Sequence, residues 1–523
     1  MTHKSTARMA VIFAITCVAT LIQAATLKLA PFYSDNMVFQ REKPIIVLGV
    51  ADVNATVEGS FMGGTATVKA DTNGRFKLIL PAKDMCAKGC TETFKSGDMT
   101  VELKNVLVGD VWFCSGQSNM EWTMGRCAPI ADEDLKSATF PLIRRIKFNH
   151  EIALDPVSYM DMKVDGPWND AKPSCISNWT AVGFYFARNI NKNTKIPIGI
   201  LDCNWGGTKI EPWTPAEAFG NYAMLSNDVK TVSNRFEIMK KNADAEKAWQ
   251  AKLAAAKPEE RKKMRKPGMP WGNGSPTAIY NAMVDGMTPM AIKGSIWYQG
   301  CSNSGDPLYD KHMEALVSGW RKKWGYEFPF YFVQLANFQD ASDDPANAGW
   351  GKVRQLQLNA FHAIPKSGMA VIIDIGEAKD IHPKNKFDVG ERLARWAMHD
   401  LYGAKDTVVS GPIYKTITIS GKKAIISFDY ASGDDKRQGL MVGKKEGTAP
   451  TAEVKDGKLE GFAVQDKDGK WSWAKAVIEG NTVVVTHLEG NEPVNVRYAY
   501  QSNPKANLYN KEGLPASPFT TEK

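Results

Sequence analysis

The stretch VWFCSGQSNMEWTM, residues Val111 to Met124, is an apolar run that breaks into a small polar turn. Val111 to Cys114 has the length and composition of a buried strand, and Ser115, Gly116, Gln117, Ser118 and Asn119 make the bend that ends it. A hydroxyl at the carboxyl end of a strand is where a nucleophile is held exposed. Ser118 is therefore the first candidate for chemistry.

Around this stretch, short apolar strands alternate with helical patterns, which predicts an α/β layer built on a parallel sheet. Strands are expected at Val111 to Cys114, Pro197 to Asp202, Ile292 to Tyr298, Phe330 to Leu335 and Met369 to Ile373, and helices at Tyr309 to Trp324, Gly351 to Ile364 and Asp388 to Tyr402. Thr214 reads as a cap for a helix opened by Pro215, Ala216 and Glu217. The Lys- and Glu-rich stretch from Lys240 to Lys266 reads as a solvated helix and loop.

Ligands of open parallel sheets lie outside the carboxyl ends of the strands. After the five expected strands come Gly116-Gln117-Ser118-Asn119, then Asn204-Trp205-Gly206-Gly207-Thr208, then Gln299-Gly300-Cys301-Ser302-Asn303, then Asn337, and finally Asp374, Gly376 and Asp380-Ile381-His382-Pro383. A serine hydroxyl needs an imidazole to take its proton and a carboxylate to hold that imidazole in the right tautomer. Ser118, His382 and Asp380 are those three types. Donors for a developing oxyanion are available from the Ser118 N–H, the Gly206 or Gly207 N–H, and the amides of Gln299 or Asn337. Asn119, Trp205, Asn303 and Asn337 are the weaker candidates for contacting substrate, and Trp122, Trp205, Trp213, Trp297 and Tyr298 are aromatics that stack on sugar rings or pack the core. His382 is preferred because it alone sits beside an acid in a loop after a buried strand, whereas His312, His362 and His399 fall in helical patterns and His487 in a strand.

On either side the texture is β. From Thr26 to Val108 short β-branched runs at Pro44 to Leu48, Thr65 to Ala70, Phe76 to Leu80 and Thr100 to Leu103 are separated by Gly, Asn and Asp turns, as in a small sandwich. YKTITI, KAIISFDY, LEGFAVQ and TVVVTHL repeat that texture after Gly411. The expected organisation is a signal peptide over 1–25, an N-terminal β domain over 26–108, the α/β domain over 109–405 and a C-terminal β domain over 406–523.

The signal is read from Lys4 and Arg8, the apolar run Met9 to Ile22, and Ala24 and Ala25 at the cleavage site. The run is too short to span a bilayer, so the expected location is secreted or periplasmic, with no membrane span once the signal is removed. Export permits disulfides, and Cys86 and Cys90 in DMCAKGC are the likeliest local bridge among the seven cysteines that remain. No C-x-x-C pair or His cluster points to a metal. The 65 basic and 57 acidic residues are mixed along the chain, so the net charge of +8 forms no stripe of the kind that binds nucleic acid.

The blocks GQSNMEW, GGTKIEPWTP, IKGSIWYQGCSN and DIHPKNKFDVGERLA resemble those of the sialate O-acetylesterase family within the SGNH hydrolases. LAPFYSDNMVFQREKPIIVLG and RYAYQSNPKANLYNKEGLPASPF are similar to that family's flanking β regions, so the resemblance covers nearly the whole mature chain. It implies a flavodoxin-like α/β hydrolase core with β-sandwich-type domains on both sides and metal-independent, cofactor-free removal of acetyl groups from sugars. It also implies Ser118 as nucleophile, His382 as base, Asp380 as its partner, and a glycine of the pair 206–207 with Gln299 in the oxyanion hole. The chain departs from the pattern at Cys301, where relatives usually carry Glu and some use that acid to orient the histidine. The function expected is a serine carbohydrate esterase acting through an acetyl-enzyme on an acetylated carbohydrate. The alternatives are an esterase of the same mechanism acting on acetyl xylan or another glycan, and a non-catalytic glycan-binding protein.

Overall fold

A computed structural model describes residues 25–431 and 439–522. The expected signal peptide lies outside the described residues apart from Ala25. Among the described residues no helix is long and apolar enough to cross a membrane.

The strand that carries the opening stretch is much longer than Val111 to Cys114. It runs from Met99 to Gly116 (β1) and crosses position 108 without a break. Its burial changes along its length: residues 99–104 alternate, and every residue from Val106 to Gly116 is buried. The first half pairs antiparallel with Cys86–Ser96, one face open to water, and the second half lies in a parallel sheet covered on both faces. Trp112 and Phe113 show the two covers. The Trp112 ring lies 4.7 Å from Phe186 of one helix layer, and the Phe113 ring lies 5.0 Å from Trp320 of the other.

The parallel strands that follow are β2 (Phe140–Lys147), β3 (Ile198–Asn204), β4 (Gly294–Tyr298), β5 (Phe330–Val333) and β6 (Ser367–Ala370). Their order in the sheet is β2-β3-β1-β4-β5-β6. With β2 set aside, which Asn169–Ala171 flanks antiparallel on its outer side, the remaining five have the doubly wound order 2-1-3-4-5, and the chain leaves β1 in opposite directions toward β3 and β4. This switch point opens a crevice at the carboxyl end of β1. Register makes the three strand ends level, with Asn204 and Tyr298 both opposite Gly116.

The helices that matter for the site are α1 (Ser118–Glu121), α2 (Ala181–Thr194), α3 (Tyr309–Trp324), α4 (Gly351–Ala363) and α5 (Lys386–Leu401). α3 coincides with its expected span, and α5 starts two residues earlier than expected because Asn385 caps it, accepting the Asp388 N–H at 3.0 Å. The cap expected at Thr214 is absent: the helix there is a single turn, Ala216–Phe219, and the Thr214 hydroxyl donates back to the Ile210 carbonyl at 3.2 Å. The Lys-rich stretch holds the helix Arg235–Ala255, which has no buried residue.

Before the parallel sheet, Ile45–Ala51 and Arg75–Leu80 pair antiparallel and pack on a second layer containing Thr56–Phe61 and Cys86–Ser96. Strict alternation in Thr56–Phe61 and Arg75–Leu80 sends Val57, Phe61, Phe76, Leu78 and Leu80 inward. Cys86 and Cys90, read as a bridge, are free thiols with their sulfurs 3.7 Å apart. After the α/β layer come a seven-stranded antiparallel sheet and a three-stranded one, Leu440–Lys444 with its neighbours. The C-terminal part is tied back by Arg354 of α4, which is fully buried and donates to the carbonyls of Leu335, Ala336, Gln501 and Ser502 at 2.5–2.8 Å.

Candidate active site

β1 ends where the chain must turn under its neighbour. At Gly116, φ is +138°, and a Cβ there would lie 2.3 Å from the Tyr298 carbonyl, so only glycine fits. The Gln117 N–H closes the turn on that carbonyl at 3.0 Å, and the one-turn helix α1 begins at Ser118. The Gln117 side chain ties the turn to the loop after β4 by accepting the Gly300 and Ser302 N–H groups.

The loop after β6 brings the imidazole across. His382 Nε2 lies 2.8 Å from Ser118 Oγ, and its Nδ1 lies 3.5 Å from Asp380 Oδ1. The same Asp380 oxygen accepts the His382 backbone N–H at 2.9 Å, which fixes the loop locally. The Asp380 side chain is 42% exposed, so its hold on the ring is a solvated one. The Trp122 ring stacks on His382 at 4.5 Å and 13°, limiting its rotation. Burial and the nearby Lys386 ammonium push the His382 pKa below its ordinary value, with Arg126 acting in the same direction and Asp380 opposing. The imidazole is therefore unprotonated at neutral pH.

Opposite the imidazole lies the turn after β3. A Cβ at Gly206 would come within 3.3 Å of Ser118 Cβ, so this turn runs directly against the serine. The Gly206 N–H is already taken by Glu121 Oε2 at 2.7 Å. Among the described residues the N–H groups of Ser118 and Gly207 have no acceptor within the chain. Gly207, with φ +75° and open space around it, is the member of the pair left with a free donor.

A family model described as carbohydrate esterase, sialic acid-specific acetylesterase matches residues 108–243 and 265–399. The chain belongs to this family. It is a carboxylic ester hydrolase. Sialate O-acetylesterases of Rattus norvegicus and Homo sapiens are 26% and 25% identical to it, over 93% and 94% of this chain and 93% and 92% of their own. The crystal structure of a carbohydrate acetylesterase from Xanthomonas citri has a TM-score of 0.78 and 32% identity, covering 95% of this chain and 100% of that one.

Several polar residues read from the strand ends of this esterase do not face the serine. Gln299, expected to donate to an oxyanion, is buried, with its amide donating to the Thr208 carbonyl at 3.2 Å and to Asn303 Oδ1 at 2.8 Å. Its donors are spent inside the protein. Asn303 is buried too: Oδ1 also accepts the Ile210 N–H, and Nδ2 donates to Glu211. Asn119 joins Ile381 to Lys386, and Asn337 joins Gly376 to Asn503. These amides tie the loops around the serine to one another. Trp205 is half-buried, stacked on His150 at 4.5 Å and 5°. Trp213, Trp297 and Tyr298 are core residues, at most 1% exposed.

Two residues beside the serine escape a sequence reading. Glu121, one turn along α1 from Ser118, pairs with His150 Nε2 at 2.9 Å; burial opposes its charge, but His150, Lys147 and the Gly206 N–H hold its carboxyl below the usual range. His150 lies in an irregular segment with no periodic pattern to mark it. Cys301 is half-buried, and burial pushes its thiol up to about 12, so it stays protonated and is a poor nucleophile beside Ser118.

Glu211, Asp306 and His312 offer three metal-ligand atoms within 4.8 Å of one another. His312 faces Asp306 through Nδ1 at 2.8 Å and Asp228 through Nε2 at 3.2 Å. Burial opposes protonation, yet these two carboxylates outweigh it and raise the imidazole pKa to about 9. The two carboxylates and the imidazole thus already satisfy one another as a buried hydrogen-bonded cluster.

Proposed function

We propose that this esterase removes O-acetyl groups from sugar hydroxyls by serine catalysis through an acetyl-enzyme. The observation that carries the reading is the 2.8 Å contact between Ser118 Oγ and His382 Nε2, in a crevice at the switch point of the parallel sheet. The 2-1-3-4-5 strand order supports a flavodoxin-like SGNH core.

In this reading Ser118 Oγ attacks the acetyl carbonyl carbon while His382 Nε2 takes its proton, and Asp380 stabilises the imidazolium that forms. The oxyanion is held by the Ser118 and Gly207 N–H groups, which are fixed before the substrate arrives. The C–O bond to the sugar breaks, and the proton on His382 passes to the leaving oxygen. His382 then deprotonates a water, which attacks the acetyl-enzyme, and acetate leaves as Ser118 recovers its proton. Trp122, half-buried against His382, and Trp205, half-buried before the Gly206–Gly207 turn, are suited to stack on the sugar.

O-acetylated sialic acid is the first substrate to test, because the rat and human relatives are sialate O-acetylesterases. Acetate release is compared on O-acetylated sialic acid and on acetylated xylan, with p-nitrophenyl acetate reporting the chemistry alone. Ser118→Ala is expected to lower the rate by about a thousandfold or more while leaving thermal unfolding unchanged. Activity retained in the purified variant would remove Ser118 from the mechanism. Export through the N-terminal segment belongs to the same proposal, and the first residue of the protein recovered outside the cytoplasm tests it.

A further inference from the structure

Lys386 is the first residue of α5 and is completely buried. Its ammonium donates to Asn119 Oδ1 at 2.7 Å and to the Pro383 carbonyl. Asn119 in turn donates through Nδ2 to the Ile381 carbonyl at 2.9 Å. Asn119 follows the nucleophile in sequence, and Ile381 and Pro383 stand on either side of the base. These three hydrogen bonds therefore clamp the backbone around His382 to the turn that carries Ser118. The ammonium also lies 5.7 Å from the ring centres of Trp122 and Tyr298, and Trp122 is the ring stacked on His382.

Among the described residues no carboxylate lies within ion-pair distance of the Lys386 nitrogen. Burying an ammonium without a counter-ion is costly, and an apolar side chain of similar volume serves a core better. Stability alone does not account for this lysine.

We propose that Lys386 is a positioning residue for ester hydrolysis, its buried ammonium pinning the loop that carries His382 to the turn that carries Ser118. The proposal rests on the serine reading above. Its charge has a second consequence. His382 faces Lys386, Asp380 and Arg126, and Lys386 acts with burial to keep the imidazole unprotonated. Lys386 itself faces Cys127, Cys301, Asp380 and Glu377, and burial brings its own pKa down to about 8.

Lys386→Met keeps the stem and removes the ammonium. With p-nitrophenyl acetate it is expected to lower kcat by about tenfold or more, to change KM by less than about threefold, and to move the acid limb of kcat/KM upward by about half a pH unit. The His382 titration followed by NMR needs no substrate and is expected to move upward in the same variant, which separates this proposal from the identity of the nucleophile. Cys301→Glu is the second variant. It places a carboxylate within electrostatic reach of the ammonium, keeps the clamp, and is expected to raise the His382 titration with a smaller loss of kcat. A His382 titration unmoved in both variants, or a Lys386→Met enzyme with wild-type kcat, overturns the proposal.

Discussion

The Glu121 carboxylate accepts the Gly206 N–H at 2.7 Å while its other oxygen meets His150 at 2.9 Å. One side chain thus fixes the glycine turn against Ser118 and leaves the neighbouring Gly207 N–H as the open donor. Glu121→Gln keeps an acceptor for Gly206, so kcat with p-nitrophenyl acetate is expected to fall by less than about fivefold. Glu121→Ala frees the turn and is expected to cost about tenfold to a hundredfold, less than the roughly hundredfold to thousandfold cost of removing an oxyanion donor outright. Equal rates in wild type and Glu121→Ala would show that the turn needs no such anchor.

Asp380 lies 3.5 Å from the His382 ring and is well solvated, so its charge is partly screened. Asp380→Asn keeps the oxygen that accepts the His382 N–H and removes the charge that raises the imidazole pKa. The acid limb of kcat/KM is expected to move lower than in the wild type. Its direction is opposite to that of Lys386→Met. A pH–rate profile of both variants checks the sign.

Glu92 is fully buried in the strand Cys86–Ser96, and neither carboxyl oxygen has a partner. Burial pushes its pKa up to about 8. The unfolded chain releases this proton above about pH 4.5 and the folded chain holds it, so the folded state loses stability as pH rises from there to about 8. Glu92→Gln is expected to unfold at a higher temperature than wild type at pH 8, by about 2 °C or more, with the difference shrinking toward pH 5. Thermal unfolding at the two pH values measures it, and a constant difference would contradict the buried acid.

Arg354 holds four backbone carbonyls, two beside β5 and two in the C-terminal segment. Lysine has no fork to reach all four. Arg354→Lys is expected to cost about 3–5 kcal/mol, as for other buried charges that lose partners, and to expose the segment around Gln501 to protease. Denaturant unfolding with limited proteolysis tests both.

Much of the architecture was legible because apolar runs and turn residues are local properties. β1, β3, β4, β5 and β6 fall near their expected places, and α3 coincides with its expected span. β2 was hidden by Arg144, Arg145 and Lys147, charges that do not read as a buried strand. Their partners are distant: Arg145 meets Asp202 at 2.6 Å and Arg144 donates to the Asn36 carbonyl. α2 was missed although ten of its residues are buried, because Phe184, Tyr185 and Phe186 leave no polar face to set a period.

By itself the sequence determined which residues stand at strand ends, since burial of a run and exposure of its turn are written within a few positions. That put Ser118 after one strand and His382 and Asp380 after another, along the same edge of the sheet. Only the tertiary structure decided which polar groups remain free there. Gln299, Asn303 and Asn119 look alike in sequence to amides that meet a ligand, yet each is consumed by a partner that strand order brings to it. Lys386 and Asn119 are separated by 267 positions and meet at 2.7 Å. A hydrogen-bond donor's availability depends on everything packed around it, and that is set by register and layer packing.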